Sequence, residues 1–143
     1  MEQDTPLYWK WFDDGHIEEA ILGVDKYFIP SVTYRSYHDS GLIISQLLLW
    51  AQRKGAPQIA WRAIERAICR AADQDDPENA FLLLWTCFVV TDDMKVPMAI
   101  DEKNILSPLK ALINRRASDI ARNEEVRGLI EDVAERMPAL LER

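Results

Sequence analysis

Pro57-Gln58-Ile59-Ala60-Trp61-Arg62-Ala63-Ile64-Glu65-Arg66-Ala67-Ile68-Cys69-Arg70-Ala71-Ala72 is the stretch from which the fold can be read. Ala60, Ala63, Ile64, Ala67, Ile68 and Ala71 recur at steps of three and four, which places them on one face of a helix. Arg62, Arg66 and Arg70 form a second stripe one turn apart. Pro57 suits the first helical position, where its missing N–H is not needed. Upstream, Ser40 can cap a helix that runs to Lys54 and stops at Gly55, with two cations in its last turn. Only Gly55 and Ala56 separate the two helices, so they are expected to pack as an antiparallel hairpin.

Downstream, Asp76-Pro77 starts a helix from Glu78 to about Val90 that is apolar nearly all round, the mark of a central, buried helix. Pro97 interrupts any long helix between Thr91 and Leu106. Ser107-Pro108 reads as the cap and first residue of a helix to about Ala121. Asn123 caps another to about Arg136, and a last turn follows Pro138. Before the hairpin, Thr5-Pro6 opens a short aromatic segment through Phe12, Asp13-Asp14-Gly15 forms a turn, and residues 16–29 carry an apolar stripe that ends at Pro30.

No segment alternates apolar and polar residues as a half-buried strand would. The expectation is an all-α protein: a compact bundle or stack of antiparallel helical hairpins, about six helices and no sheet. A single domain over residues 1–143, with an aromatic-rich N-terminal segment 1–38, fits the length of 143 residues. Leu47-Leu48-Leu49-Trp50 recurs as Leu82-Leu83-Leu84-Trp85, a period near that of helical-hairpin repeats. The residues after each motif differ, and leucine-rich helix cores produce such matches by chance.

A hydrophobic fraction of 48% with 29% charged residues is that of a folded globular chain. The N-terminus has neither a basic nor an apolar signal region, and no apolar run approaches bilayer length, so a cytoplasmic location without membrane contact is expected. Cys69 and Cys87 fall in apolar helical patterns and read as small buried hydrophobes of a reducing compartment. The net charge of −7 argues against direct nucleic-acid binding, which needs a basic surface. That charge is unevenly spread: residues 1–40 hold 8 acids and 3 bases, 41–72 hold 1 and 5, 73–102 hold 8 and 1, and 103–143 hold 7 and 8.

Catalytic constellations are sparse. His38-Asp39, with His16 upstream, resembles the ligand set of HD-type metal phosphohydrolases, which would imply a divalent ion activating water. That resemblance covers one dipeptide and one remote histidine. Asp73-Gln74-Asp75-Asp76-Pro77-Glu78 is acid-rich but lacks the central glycine of a calcium loop, and its acids suit a helix N-terminus. All five glycines are isolated, so no phosphate loop exists, and no cofactor is expected.

With catalytic parts missing, a non-enzymatic protein-binding domain is the expected class. Acidic, helical and Trp-rich, the chain resembles bacterial immunity proteins in general character, without a shared motif. The resemblance implies an antitoxin-type inhibitor that masks the basic surface of a partner toxin, such as a nuclease. Its expected contact residues are Asp73, Asp75, Asp76 and Glu78, joined by Asp13 and Asp14, with Trp9 and Trp11 as aromatic anchors. The alternatives are a helical-hairpin adaptor with an apolar peptide groove, and the metal phosphohydrolase.

Overall fold

The structure is a computed structural model that describes residues 44–142 except 46, 50 and 54. Among these, every regular element is helical. Residues 44, 45, 47–49 and 51–53 are helical. After them come α1 (Pro57–Asp73), α2 (Pro77–Met94), α3 (Glu102–Arg115), the short α4 (Ala117–Ala121), α5 (Glu124–Arg136) and a 3-10 turn (Pro138–Leu141). The N-terminal sites Trp9, Trp11, Asp13, Asp14, His16, His38 and Asp39, and the aromatic segment 1–38 as a whole, lie outside the described residues.

The hairpin turn forms as its residues dictate. Gly55 adopts φ +72°, a left-handed conformation open to glycine at no steric cost. Its N–H donates to the Gln52 carbonyl at 3.1 Å and that of Ala56 to Ala51 at 2.9 Å, closing the preceding helix. All six residues of the α1 stripe are buried, and Trp61, Glu65 and Ala72 are buried with them. The second stripe faces outward at Arg62 and Arg70, while Arg66 is half-buried.

α2 is the core helix, with ten of its eighteen residues buried. Asp76 caps it, accepting from the Asn79 backbone N–H at 3.2 Å and from the Asn79 side-chain amide at 2.6 Å. The helix runs one turn beyond the expected Val90 and ends at Lys95, which takes the left-handed conformation at φ 58°. Thr86 and Thr91 let it continue through polar residues, because their hydroxyls donate back to the carbonyls of Leu82 and Cys87. The two Leu-Leu-Leu-Trp motifs are not equivalent in place: Leu49 is 48% exposed, whereas its counterpart Leu84 is fully buried.

α3 corrects the expected start at Ser107-Pro108. The helix begins six residues earlier, with Asp101 as its cap accepting from the Lys103 N–H at 3.1 Å, and Pro108 lies inside it. A proline there removes the N–H that would reach the Asn104 carbonyl four residues back. The Cys69 thiol from α1 stands near that carbonyl instead, at 3.4 Å. The same helix stops at Arg115, so the expected helix to Ala121 is two elements, α3 and α4. Asn123 caps α5 as expected, accepting from the Val126 N–H at 3.1 Å.

Directions follow from the contacts. α1 and α2 form an antiparallel pair joined by residues 74–76, and α1 also packs on α3. α2 and α5 run parallel. Pro77 and Glu78 share a concavity with Asn123 and Val126 at their first turns, and Asp92 pairs with Arg136 at their last. Ile64, Ile68, Phe81, Leu84, Ile105, Leu109 and Leu112 are fully buried within one continuous core that extends to Val133 and Leu140.

Candidate functional site

The parallel arrangement of α2 and α5 collects acids at one end of the bundle. Asp73 closes α1, Asp75 and Asp76 form the joint, and Glu78 stands in the first turn of α2. Beside them Glu124 and Glu125 occupy the first turn of α5, and Asp119 lines the same concavity of about 220 Å³. Acids at helix N-termini meet the positive end of the macrodipole, so this placement is also locally stabilising. Asp119, Glu124 and Glu125 were missed as candidates because they fall in a sequence block of nearly balanced charge. Only the fold separates them from the bases of that block.

The four acids of the joint have different duties. Asp76 is committed to the α2 cap, and Asp75 sits at φ 56° with its Oδ1 accepting from Arg115 Nε at 2.8 Å. Arg115 also donates to the Ala72 carbonyl at 3.0 Å, so it pins the joint from the end of α3. Arg116 pairs at 2.8 Å with Asp119 across one turn. Asp73 and Glu78 are exposed, and neither has an ion-pair partner among the described residues. The charges free to meet another molecule are therefore Asp73 and Glu78, with Glu124 and Glu125 alongside, more than Asp75 and Asp76.

The acids at residues 92–93 lie at the far end of α2. Asp76 and Asp92 are sixteen residues apart, about 24 Å at 1.5 Å per helical residue, so they form no common patch. Asp92 is engaged by the Arg136 guanidinium, whose second nitrogen reaches its other oxygen at 3.3 Å. This hydrogen bond holds the Asp92 carboxyl below its ordinary value and raises the Arg136 guanidinium. Arg136 also lies over the Phe88 ring, 5.2 Å from its centroid.

A second feature is a groove of about 520 Å³ beside the N-terminal half of α1. Pro57, Trp61, Val96 and Pro97 give it apolar walls, and Gln58 and Arg62 stand at its polar side. Glu65, only 9% exposed, anchors the groove's far end. Its two oxygens accept from the Asp101 N–H at 2.9 Å and from the Asn104 amide at 2.8 Å. Glu65 thus supplies from α1 a second acceptor for the start of α3.

Both cysteines are free. Cys87 is buried as expected, and burial pushes its thiol up to about 12. Cys69 departs from the expectation, being only part-buried and turned toward α3. Desolvation, then the nearby charges of Asp73 and Glu65, raise its thiol above the ordinary value. Neither cysteine has the lowered value of an activated nucleophile.

Among the described residues no three His, Cys, Asp or Glu side chains group as metal ligands, and no helix is long and apolar enough to cross a membrane. No protein-family model, curated protein or solved structure matches the chain.

Proposed function

We propose that the chain is a non-enzymatic binding domain of the immunity or antitoxin type, neutralising a partner protein with a basic surface by direct contact. One observation carries this reading. Asp73 and Glu78 stand exposed on either side of a joint that Asp76 and Arg115 hold in place, with Glu124 and Glu125 on the neighbouring first turn. The held joint limits the backbone ordering that binding costs, and the common sign of these carboxylates speeds encounter with a basic partner and disfavours an acidic one. Exposed charges act over roughly 8 Å at physiological salt, so such an interface weakens as salt rises.

The test uses charge reversal at exposed positions that hold no cap and no ion pair among the described residues. Asp73→Lys with Glu78→Lys leaves the Asp76 cap and the Asp75–Arg115 pair intact. The expected result is one basic protein from the native host, captured one-to-one by the wild type and inhibited by it. Its affinity should fall at least about tenfold in the double variant, equivalent to about 1.4 kcal/mol. A captured partner whose affinity is unchanged by the reversal, or whose binding face is acidic, overturns the proposal.

A further inference from the structure

Residues 115–125, beside the acidic joint, carry three arginines and three acids, so this strip holds no net charge. Within it the sequence runs Arg115-Arg116-Ala117-Ser118-Asp119. Ser118 is the one serine or threonine of the chain that follows two consecutive arginines. It is exposed in α4, and its hydroxyl has no hydrogen-bond partner among the described residues. Thr86 and Thr91, by contrast, are buried and spend their hydroxyls on helix carbonyls. Ser107 is exposed too, but it follows Ile105 and Leu106 and stands in the interior of α3.

The surroundings suit both the addition of a charge and its retention. α4 has five residues and buries only Ile120, so little core packing holds it closed and local opening costs little. Arg115 and Arg116 pair with Asp75 and Asp119, yet both side chains stay partly open to solvent. Arginines two and three residues before a serine form a charge pattern by which kinases select their substrates. On the other side Arg122 lies one turn beyond Ser118, exposed and with no ion-pair partner among the described residues. A dianionic group on Ser118 thus has a cation within one turn, while the neighbouring carboxylate of Asp119 is offset by Arg116 at 2.8 Å.

We propose that Ser118 is a phosphorylation site that extends the acidic end of the bundle across residues 115–125. Ser118 Oγ attacks the γ-phosphorus of a nucleoside triphosphate as the bond from that phosphorus to the β–γ bridging oxygen breaks. The hydroxyl proton passes to the kinase's base, and the nucleoside diphosphate leaves. The phosphate adds about −1.5 to −2 at neutral pH, which turns a strip of balanced charge into an acidic one. The added charge falls next to Asp119, which lines the concavity shared with Glu78. Its effect on a partner rests on the acidic-end reading above: a basic partner binds the phosphorylated chain more tightly. The modification itself does not rest on that reading.

The experiment treats the full chain with magnesium ATP and a serine kinase selective for arginines two and three residues before its target. Peptide mass spectrometry reads the modified residue. One phosphoryl group is expected on Ser118, and none on the Ser118→Ala chain. Arg116→Ala should lower kcat/KM at least about tenfold, both in the full chain and in a synthetic peptide of residues 112–123. The peptide separates recognition of the charge from any loosening of α4. Binding of a labelled oligo-arginine peptide, followed by fluorescence polarisation at physiological salt, should tighten at least about threefold on phosphorylation. The proposal is overturned by an unmodified Ser118 in the folded chain, by an Arg116→Ala peptide modified at the wild-type rate, or by oligo-arginine binding that phosphorylation leaves unchanged. An affinity that ignores the Asp73→Lys, Glu78→Lys reversal but responds to phosphorylation sinks the acidic-end reading alone.

Discussion

The Cys69 thiol donates to the Asn104 carbonyl at 3.4 Å, in the place of the backbone N–H that Pro108 lacks. A helix carrying an interior proline leaves one carbonyl without its intrahelical donor, at a modest cost where, as here, the site is open to solvent. Pairing across helices removes part of that cost and ties α1 to α3 at a fixed register.

The two positions should therefore be coupled. Cys69→Ala is expected to destabilise by about 0.5–1 kcal/mol, the net worth of one weak hydrogen bond with some lost packing. Pro108→Ala restores the intrahelical donor and should stabilise. In the Pro108→Ala background the cost of Cys69→Ala should shrink toward that of packing alone. Urea denaturation of the four proteins gives the coupling energy directly. Strictly additive effects would show that the thiol does not serve the Asn104 carbonyl.

Glu65 is the second tie between the same helices, and its side chain is held at 9% exposure by two donors. Glu65→Ala leaves the Asp101 N–H and the Asn104 amide without their acceptor, for an expected loss of about 1–3 kcal/mol. Glu65→Gln should lose less, because its carbonyl oxygen still accepts from Asp101 and its amide can donate to a rotated Asn104. Thermal unfolding in the order wild type, Gln, Ala supports this account. Equal losses for Gln and Ala would mean that the negative charge itself, and not the acceptor geometry, stabilises the start of α3.

These ties explain why parts of the fold were legible in the sequence and others were not. The α1 stripe, the Gly55 turn, the all-round apolar α2 and the Asp76 and Asn123 caps are each written within a few neighbouring residues, and all of them form. The start of α3 is not local. Ser107-Pro108 carries a strong helix-opening signal, whereas the real start is secured by Asp101 with help from Glu65, thirty-six residues away. The acid joint was visible as composition. That Asp75 is taken by Arg115, forty residues on, follows only from where α3 ends against the joint, and that Glu124 and Glu125 join the same end follows only from the parallel packing of α2 on α5. Glu65 had one local signal, as the lone acid of a basic block.

Thiol chemistry should separate the two cysteines. Both thiols are raised, Cys87 by full burial and Cys69 mainly by partial burial, so both are mostly protonated at neutral pH. Brief alkylation of the native protein with iodoacetamide near pH 8 should label Cys69 slowly and leave Cys87 unlabelled. Unfolding in guanidinium should bring both to the rate of a free thiol. Peptide mass spectrometry reads the two sites independently, and rapid native labelling of Cys87 would contradict its place in the core.

The Asp92–Arg136 contact gives a pH dependence whose sign is fixed. The Asp92 carboxyl is lowered from 3.8 chiefly by its hydrogen bond to Arg136, so the unfolded chain binds its proton more readily than the folded one. A group lowered in the folded state stabilises above its ordinary value, and that contribution disappears as pH falls through the folded value. Asp92→Asn should therefore lower Tm slightly at pH 7, and the difference from wild type should close as pH drops below about 3.8. Both partners are exposed, so added salt should also narrow the gap at pH 7. Arg136 keeps its place over Phe88 in this variant, and the packing of α5 on α2 is left intact. A Tm difference that stays constant between pH 3 and pH 7, as checked by circular dichroism melts about half a pH unit apart, would assign the effect to helix-end geometry and not to charge.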